Sequence, residues 1–179
     1  MIYMFLADGF EEVEALCPLD LMRRAGLSVK TVGINKNEIV GAHGIKIIAD
    51  MSDIEYSDNE AEMIFLPGGM PGTLNLANNT TVINAIKKAA LDGSYIAAIC
   101  AAPSILGDMG LLNGKEAICY PGFEDRLKGA VISKNKVVSD GKIITAAGMG
   151  VAYAMGIEIV RVLCGDKKAN ELKEATIHA

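Results

Sequence analysis

Ser94-Tyr95-Ile96-Ala97-Ala98-Ile99-Cys100-Ala101-Ala102-Pro103-Ser104 is the stretch whose reading decides the fold. Its apolar run stops at a cysteine, and small residues and a proline follow. That pattern predicts a buried strand over 95–99 and a helix opening just after Cys100. Pro103 suits the first turn of a helix, where its missing N–H costs little. A cysteine at such a junction points its sulfur at the free N–H groups of the helix start. Those groups and the helix dipole favour the thiolate, the reactive form. The competing reading is a structural cysteine, because free cysteine is among the most buried residue types.

Outward from this elbow, strand-like runs recur at 2–7, 27–32, 63–66 and 142–146, and helix-like runs at 11–25, 80–91, 101–109 and 151–163. Arg23-Arg24-Ala25-Gly26 ends the first helix with cations and a glycine cap. Two hairpins are expected, one over 38–49 and one over 130–139 turning at Lys134-Asn135-Lys136. Alternating β and α with short connections predicts one α/β domain over 1–179, with a mostly parallel sheet covered on both faces.

Bulk properties narrow the function. The 179 residues suffice for one sizeable core, and 51% of them are hydrophobic, as a large buried sheet requires. The net charge is −5 with Lys and Arg scattered, so no nucleic-acid partner is expected. The chain opens on a strand-like run and has no apolar stretch long enough to span a bilayer. The expectation is a soluble cytoplasmic protein without a membrane partner. Cys17, Cys100, Cys119 and Cys164 are far apart, so no disulfide framework is expected. With two histidines, His43 and His178, and no cluster at zinc spacing, neither a metal nor a cofactor is expected. Gly148-Met149-Gly150 lacks the dinucleotide fingerprint and reads as helix-start packing.

Ligands of such a sheet sit beyond the carboxyl ends of its strands, so the loops there should carry the chemistry. Gly68 and Gly69 let the backbone approach a ligand closely. With the Ala101 N–H they would form an oxyanion hole beside the sulfur. Glu11, Glu12 and Glu14 lie in the first turn of the first helix, where acids favour the dipole and are otherwise solvated. Glu14 differs, because its face of the helix turns toward the sheet edge. A carboxyl held there beside a thiolate would be pushed toward its protonated form and would relay a proton.

The sequence resembles the DJ-1/ThiJ/PfpI superfamily, in its DJ-1-like branch, over nearly the whole chain. The resemblance is carried by residues 6–14 (Leu6-Ala7-Asp8-Gly9-Phe10-Glu11-Glu12-Val13-Glu14), by 21–26, by Phe65-Leu66-Pro67-Gly68-Gly69 and by 97–103. It implies a flavodoxin-like three-layer α/β/α sandwich of the class I glutamine-amidotransferase-like kind. It places the nucleophile on Cys100, its partner carboxyl on Glu14 and the backbone donors on Gly69 and Ala101, with Gly68 adjacent. Some members carry a histidine before a proline about twenty residues past the cysteine. Here Tyr120 stands in that place, so Cys-His-acid peptidase chemistry is not expected. Tyr120 either donates a hydrogen bond near the sulfur or leaves its hydroxyl in water.

Two functions stay open at this point. One is a glyoxalase-type or deglycase-type enzyme acting on small reactive carbonyls such as methylglyoxal. The other is a redox sensor or stress-protective chaperone whose cysteine meets an oxidant and becomes a sulfinate. A homodimer is implied by the resemblance. It also follows from apolar residues on several faces of the first helix (Val13, Leu16, Leu19, Leu21, Met22) and from the apolar 38–49 hairpin. That contact would bring His43 or Phe10 of one chain to the pocket of the other.

Overall fold

The computed structural model describes residues 1–57 and 61–178. Eleven strands are present among the described residues: β1 (Ile2–Leu6), β2 (Val29–Gly33), β3 (Glu38–Val40), β4 (Lys46–Ile48), β5 (Met51–Ser52), β6 (Met63–Leu66), β7 (Tyr95–Ile99), β8 (Glu116–Ala117), β9 (Val131–Ile132), β10 (Val137–Asp140) and β11 (Ile143–Ala146). Six α-helices accompany them: α1 (Glu12–Arg24), α2 (Gly72–Ala77), α3 (Thr80–Asp92), α4 (Pro103–Asp108), α5 (Ala152–Cys164) and α6 (Asp166–Ala175). The main sheet runs β10-β11-β7-β6-β1-β2-β5 and is parallel except for β10.

Strands covered on both faces need continuous apolar sequence, and β1 and β6 are buried at every position. Successive side chains alternate between faces. Tyr3, Phe5, Ile64 and Leu66 pack with Val82 and Ile86 of α3 and Ile105 of α4. Met4, Leu6, Met63 and Phe65 pack on the other face with Leu19 and Met22 of α1 and Met155 and Ile159 of α5. The result is the three-layer α/β/α sandwich of a flavodoxin-like fold. After β1 the chain builds β2 and β5 to one side and then returns to build β6, β7 and β11 on the other. The reversal falls between β1 and β6, and ligands of such sheets bind beyond the carboxyl ends of the strands at such a point.

The 38–49 hairpin forms as β3 and β4, paired antiparallel. The expected 130–139 hairpin does not. β9 pairs parallel with β8, whereas β10 pairs antiparallel with β11 across a two-residue loop, Gly141-Lys142. Asp140-Gly141 is the stronger turn signal. Gly141 adopts φ +61, which a two-residue hairpin requires and which a lysine tolerates poorly. The short α2 and the polar α6 went unread in the sequence. The surplus apolar face of α1 is also corrected. Leu19, Leu21 and Met22 are buried within the chain, and Leu21 packs on Ile157, Val160 and Leu172 of α5 and α6.

Candidate active site

Among the described residues, Cys100 is one of three non-glycine residues with positive φ, at +65. A left-handed backbone costs an L-residue about 1–3 kcal/mol and persists where the surroundings enforce it. Here they do. The Cys100 N–H donates to the Ala146 carbonyl at 2.9 Å, and its carbonyl accepts from the Tyr120 N–H at 2.8 Å. α4 begins only at Pro103, two residues later than expected, and is six residues long. The Ala102 N–H is taken by the Ile99 carbonyl, which leaves the Ala101 N–H to face the sulfur.

The three acids of the first turn take three tasks. Glu11 caps α1, its carboxylate accepting from the Glu14 N–H at 2.7 Å. Glu12 is buried and holds the β3–β4 loop, accepting from the His43 N–H at 2.8 Å and from the Ile45 N–H at 3.4 Å. It also meets His43 Nδ1 at 2.9 Å. Glu14 is 1% exposed and lies against Cys100, with a hydrogen bond between carboxyl and thiol. The Gly68 N–H donates to Glu14 Oε2 at 3.0 Å, and the Met149 N–H donates to the same carboxylate.

Gly68 therefore holds the acid and is not an oxyanion donor, which corrects one expectation. A Cβ at this position would come within 2.5 Å of Glu14 Oε2 and 2.7 Å of Cys100 Cβ, so only glycine lets the two approach. The Gly69 and Ala101 N–H groups do point at the sulfur. The expected depression of the Cys100 pKa is overturned. Burial, then the charge and hydrogen bond of Glu14, outweigh those two donors and push the thiol up to about 12. Burial likewise pushes Glu14 up to about 7. The carboxyl and the thiol are thus coupled, and the first proton leaves the pair near pH 7.

The remaining candidates fall as follows. Tyr120 is 51% exposed, its ring edge against Gly148. Cys119 is buried on the opposite face of the sheet and pushed up to about 11 by burial. Phe10 lies in the core at 0% exposure, so it cannot reach a second chain. His43 pairs with Glu12, not with the cysteine. Glu11, Glu12 and His43 bring ligand atoms within 4.8 Å of one another, but Glu12 is already satisfied by the loop it holds, and we assign no metal. Gly148 and Met149, read from sequence as packing, border the acid. The loop 147–150 follows the 142–146 strand and was expected at the ligand edge with the other strand-end loops; the contact with Glu14 was not read. A crevice of about 610 Å³ lies elsewhere, at the ends of β1 and β2. It is lined by no cysteine or histidine, and its Lys36 is paired with Asp8 at 2.7 Å.

The fold and the elbow match known proteins. A family model described as DJ-1/PfpI matches residues 1–162. The chain belongs to the DJ-1/PfpI family. Among curated relatives, Arabidopsis thaliana DJ-1 homolog B is 38% identical over 170 residues, covering 93% of this chain and 39% of that protein. The chain thus spans about two-fifths of the length of that relative. Drosophila melanogaster dj-1beta is 32% identical, covering 98% of this chain and 96% of its own length. Two solved structures superpose closely. Toxoplasma gondii DJ-1 in oxidised form has a TM-score of 0.96 at 28% identity, covering 99% of this chain and 98% of its own. Drosophila DJ-1beta has a TM-score of 0.93 at 31% identity, covering 99% and 97%. Among the described residues, no helix is long and apolar enough to cross a membrane.

Proposed function

We propose that this DJ-1/PfpI family member is a cysteine-dependent enzyme that converts small reactive dicarbonyls such as methylglyoxal to hydroxy acids. The observation that carries the reading is the hydrogen bond between the Glu14 carboxyl and the Cys100 thiol at a strained elbow with two N–H donors on the sulfur. Transfer of the Cys100 thiol proton to the Glu14 carboxylate frees the thiolate, which adds to the aldehyde carbon. The developing oxyanion takes hydrogen bonds from the Gly69 and Ala101 N–H groups and then the proton from Glu14, giving a hemithioacetal. Glu14 next removes the proton from that carbon to give an enediolate, the hydroxyl proton passes from the first oxygen to the second, and Glu14 returns its proton to the second carbon. The first carbon is oxidised to a thioester and the second reduced to an alcohol, so no external oxidant is needed. Water hydrolyses the thioester, releasing lactate from methylglyoxal and restoring the thiol.

Purified protein incubated with methylglyoxal is expected to form lactate, and Cys100→Ser to form none. Lactate formation at equal rates by both proteins would remove Cys100 from the chemistry. The same donors support a second reading, in which Cys100 is oxidised to a sulfinate held by Glu14, Gly69 and Ala101. Mass spectrometry after mild peroxide tests it by the gain of two oxygens on Cys100 alone. With Tyr120 in place of a histidine, a peptidase is not proposed. Further parts of the reading are a cytoplasmic location and a homodimer through α1 and the β3–β4 hairpin, where Val13, Ile45 and Ile48 are exposed.

A further inference from the structure

The peptide unit between Cys100 and Ala101 serves the sulfur at one end and is held at the other. Its N–H, that of Ala101, faces the Cys100 sulfur. Its carbonyl, that of Cys100, accepts from the Tyr120 N–H at 2.8 Å. A peptide unit is planar and trans, so fixing the direction of its carbonyl fixes the direction of its N–H. The aim of this donor therefore depends on where the Tyr120 backbone lies. That backbone follows β8, outside the main sheet. The Ser133 N–H anchors the Ala117 carbonyl at 2.9 Å. The next residue is held by a side chain: the Ile118 N–H donates to the Thr145 hydroxyl at 3.0 Å, across 27 residues of sequence. Thr145 is 1% exposed. It precedes Ala146, whose carbonyl accepts the Cys100 N–H. β11 thus holds the elbow twice, directly through Ala146 and indirectly through Thr145.

We propose that Thr145 is a positioning residue whose hydroxyl fixes residues 118–120 and, through the Tyr120 N–H, keeps the Ala101 N–H aimed at the reacting centre on Cys100. The proposal deepens the reading of Cys100 as the nucleophile of a dicarbonyl enzyme and rests on it for the turnover half of its test. Valine has the shape of threonine without the acceptor. In Thr145→Val the Ile118 N–H must find another partner, and residues 118–120 are drawn from the elbow. The left-handed Cys100 then relaxes, because one of the two bonds that enforce it is gone. The Ala101 N–H turns from the sulfur and from the oxyanion that forms beside it.

The test measures two quantities: the rate of Cys100 alkylation by iodoacetamide at pH 7, and kcat and KM for methylglyoxal. The proteins are the wild type, Thr145→Val, Thr145→Ser and Thr31→Val. Thr31 is the control. It is 4% exposed on β2, across the sheet from β11, and its hydroxyl donates to Asp50 at 2.9 Å. Thr145→Val is expected to slow alkylation by about tenfold. Its kcat should fall by about 10- to 100-fold with KM little changed, as for a donor that acts on the transition state. Thr145→Ser keeps the acceptor and should stay within about threefold of the wild type on both measures. Thr31→Val should lower stability and leave both rates unchanged. Wild-type alkylation by folded Thr145→Val, or equal losses in Thr145→Ser and Thr145→Val, would overturn the role of the hydroxyl. An equal loss in Thr31→Val would overturn it too, by assigning the effect to a loosened sheet. If Thr145→Val does not fold, Thr145→Ala, which removes the same acceptor, is compared with Thr145→Ser in its place. A wild type that forms no lactate would overturn the dicarbonyl reading, while the alkylation rates still decide the role of Thr145.

Discussion

Burial opposes charge at both Glu14 and Cys100, and two measurements follow at the scale of these residues. Below pH about 7 the pair holds two protons; above it, one, which an internal transfer places on oxygen to expose the thiolate. The rate of Cys100 alkylation by iodoacetamide is therefore expected to rise with a midpoint near pH 7. A midpoint above ~8.5, the ordinary thiol value, would mean that the sulfur titrates without reference to Glu14. Glu14 also bears on stability. Its carboxyl ionises at about 7 in the fold against an ordinary 4.5, so between those values the folded chain binds the extra proton. Stability then falls as pH rises through that window and stays reduced above it. Glu14→Gln removes this loss. At pH 8 the variant is expected to exceed the wild type by ~1–3 kcal/mol in denaturant unfolding while losing dicarbonyl turnover. Equal stabilities at pH 8 would show that the buried carboxylate is solvated in a way the fold does not reveal.

At the scale of elements, the first turn of α1 ties three parts of the chain together. Glu14 reaches Gly68 after β6 and Cys100 after β7, Glu11 caps its own helix, and Glu12 grips the β3–β4 loop. Burial disfavours the Glu12 carboxylate, but its hydrogen bonds with His43 and with the backbone prevail and hold it below the usual 4.5. Its contribution is fully present above 4.5 and is lost as pH falls through the lowered folded value. Glu12→Ala leaves the His43 and Ile45 N–H groups without their acceptor and is expected to cost ~2–4 kcal/mol. Amide exchange at His43 and Ile45 should accelerate before that of β1 or β7. Uniform acceleration across the sheet would indicate that Glu12 supports the whole fold and not this hairpin. The spacing of these acids is legible in sequence, but their separate tasks are not. Each task depends on a partner 31 to 54 residues away for Glu12 and Glu14 and only three residues away for Glu11.

At the scale of the whole molecule, one helix and one hairpin present exposed apolar side chains: Val13 at 43%, Ile45 at 52% and Ile48 at 71%. Joined across a two-fold axis, such patches cover each other and bury the edge of the small β3–β4 ribbon. Light scattering at micromolar concentration is expected to give twice the 18.9 kDa chain mass. Val13→Glu should shift the protein toward the monomer, because a charge at the centre of that contact loses its water. A wild-type monomer would leave the exposed patch without this partner.

Local pattern determined the elements and the elbow. Continuous apolar runs at 63–66 and 95–99 read as strands covered on both faces, and a cysteine followed by small residues and proline marked the end of the strand, with the helix opening two residues later than read, at Pro103. Glycine at 68 and 69 and the acid at 14 were readable as a ligand edge because parallel strands bring their carboxyl ends together. Tertiary structure decided what sequence spacing does not encode. It paired β10 with β11 instead of β9, since a two-residue turn at Gly141 closes a shorter loop than one at 134–136. It turned Gly68 from donor on the substrate to holder of Glu14. It placed Gly148 and Tyr120 beside that acid. It also reversed the sign of the Cys100 shift, because burial and a neighbouring carboxylate are properties of the packed chain, whereas a cysteine before a helix is a property of the sequence.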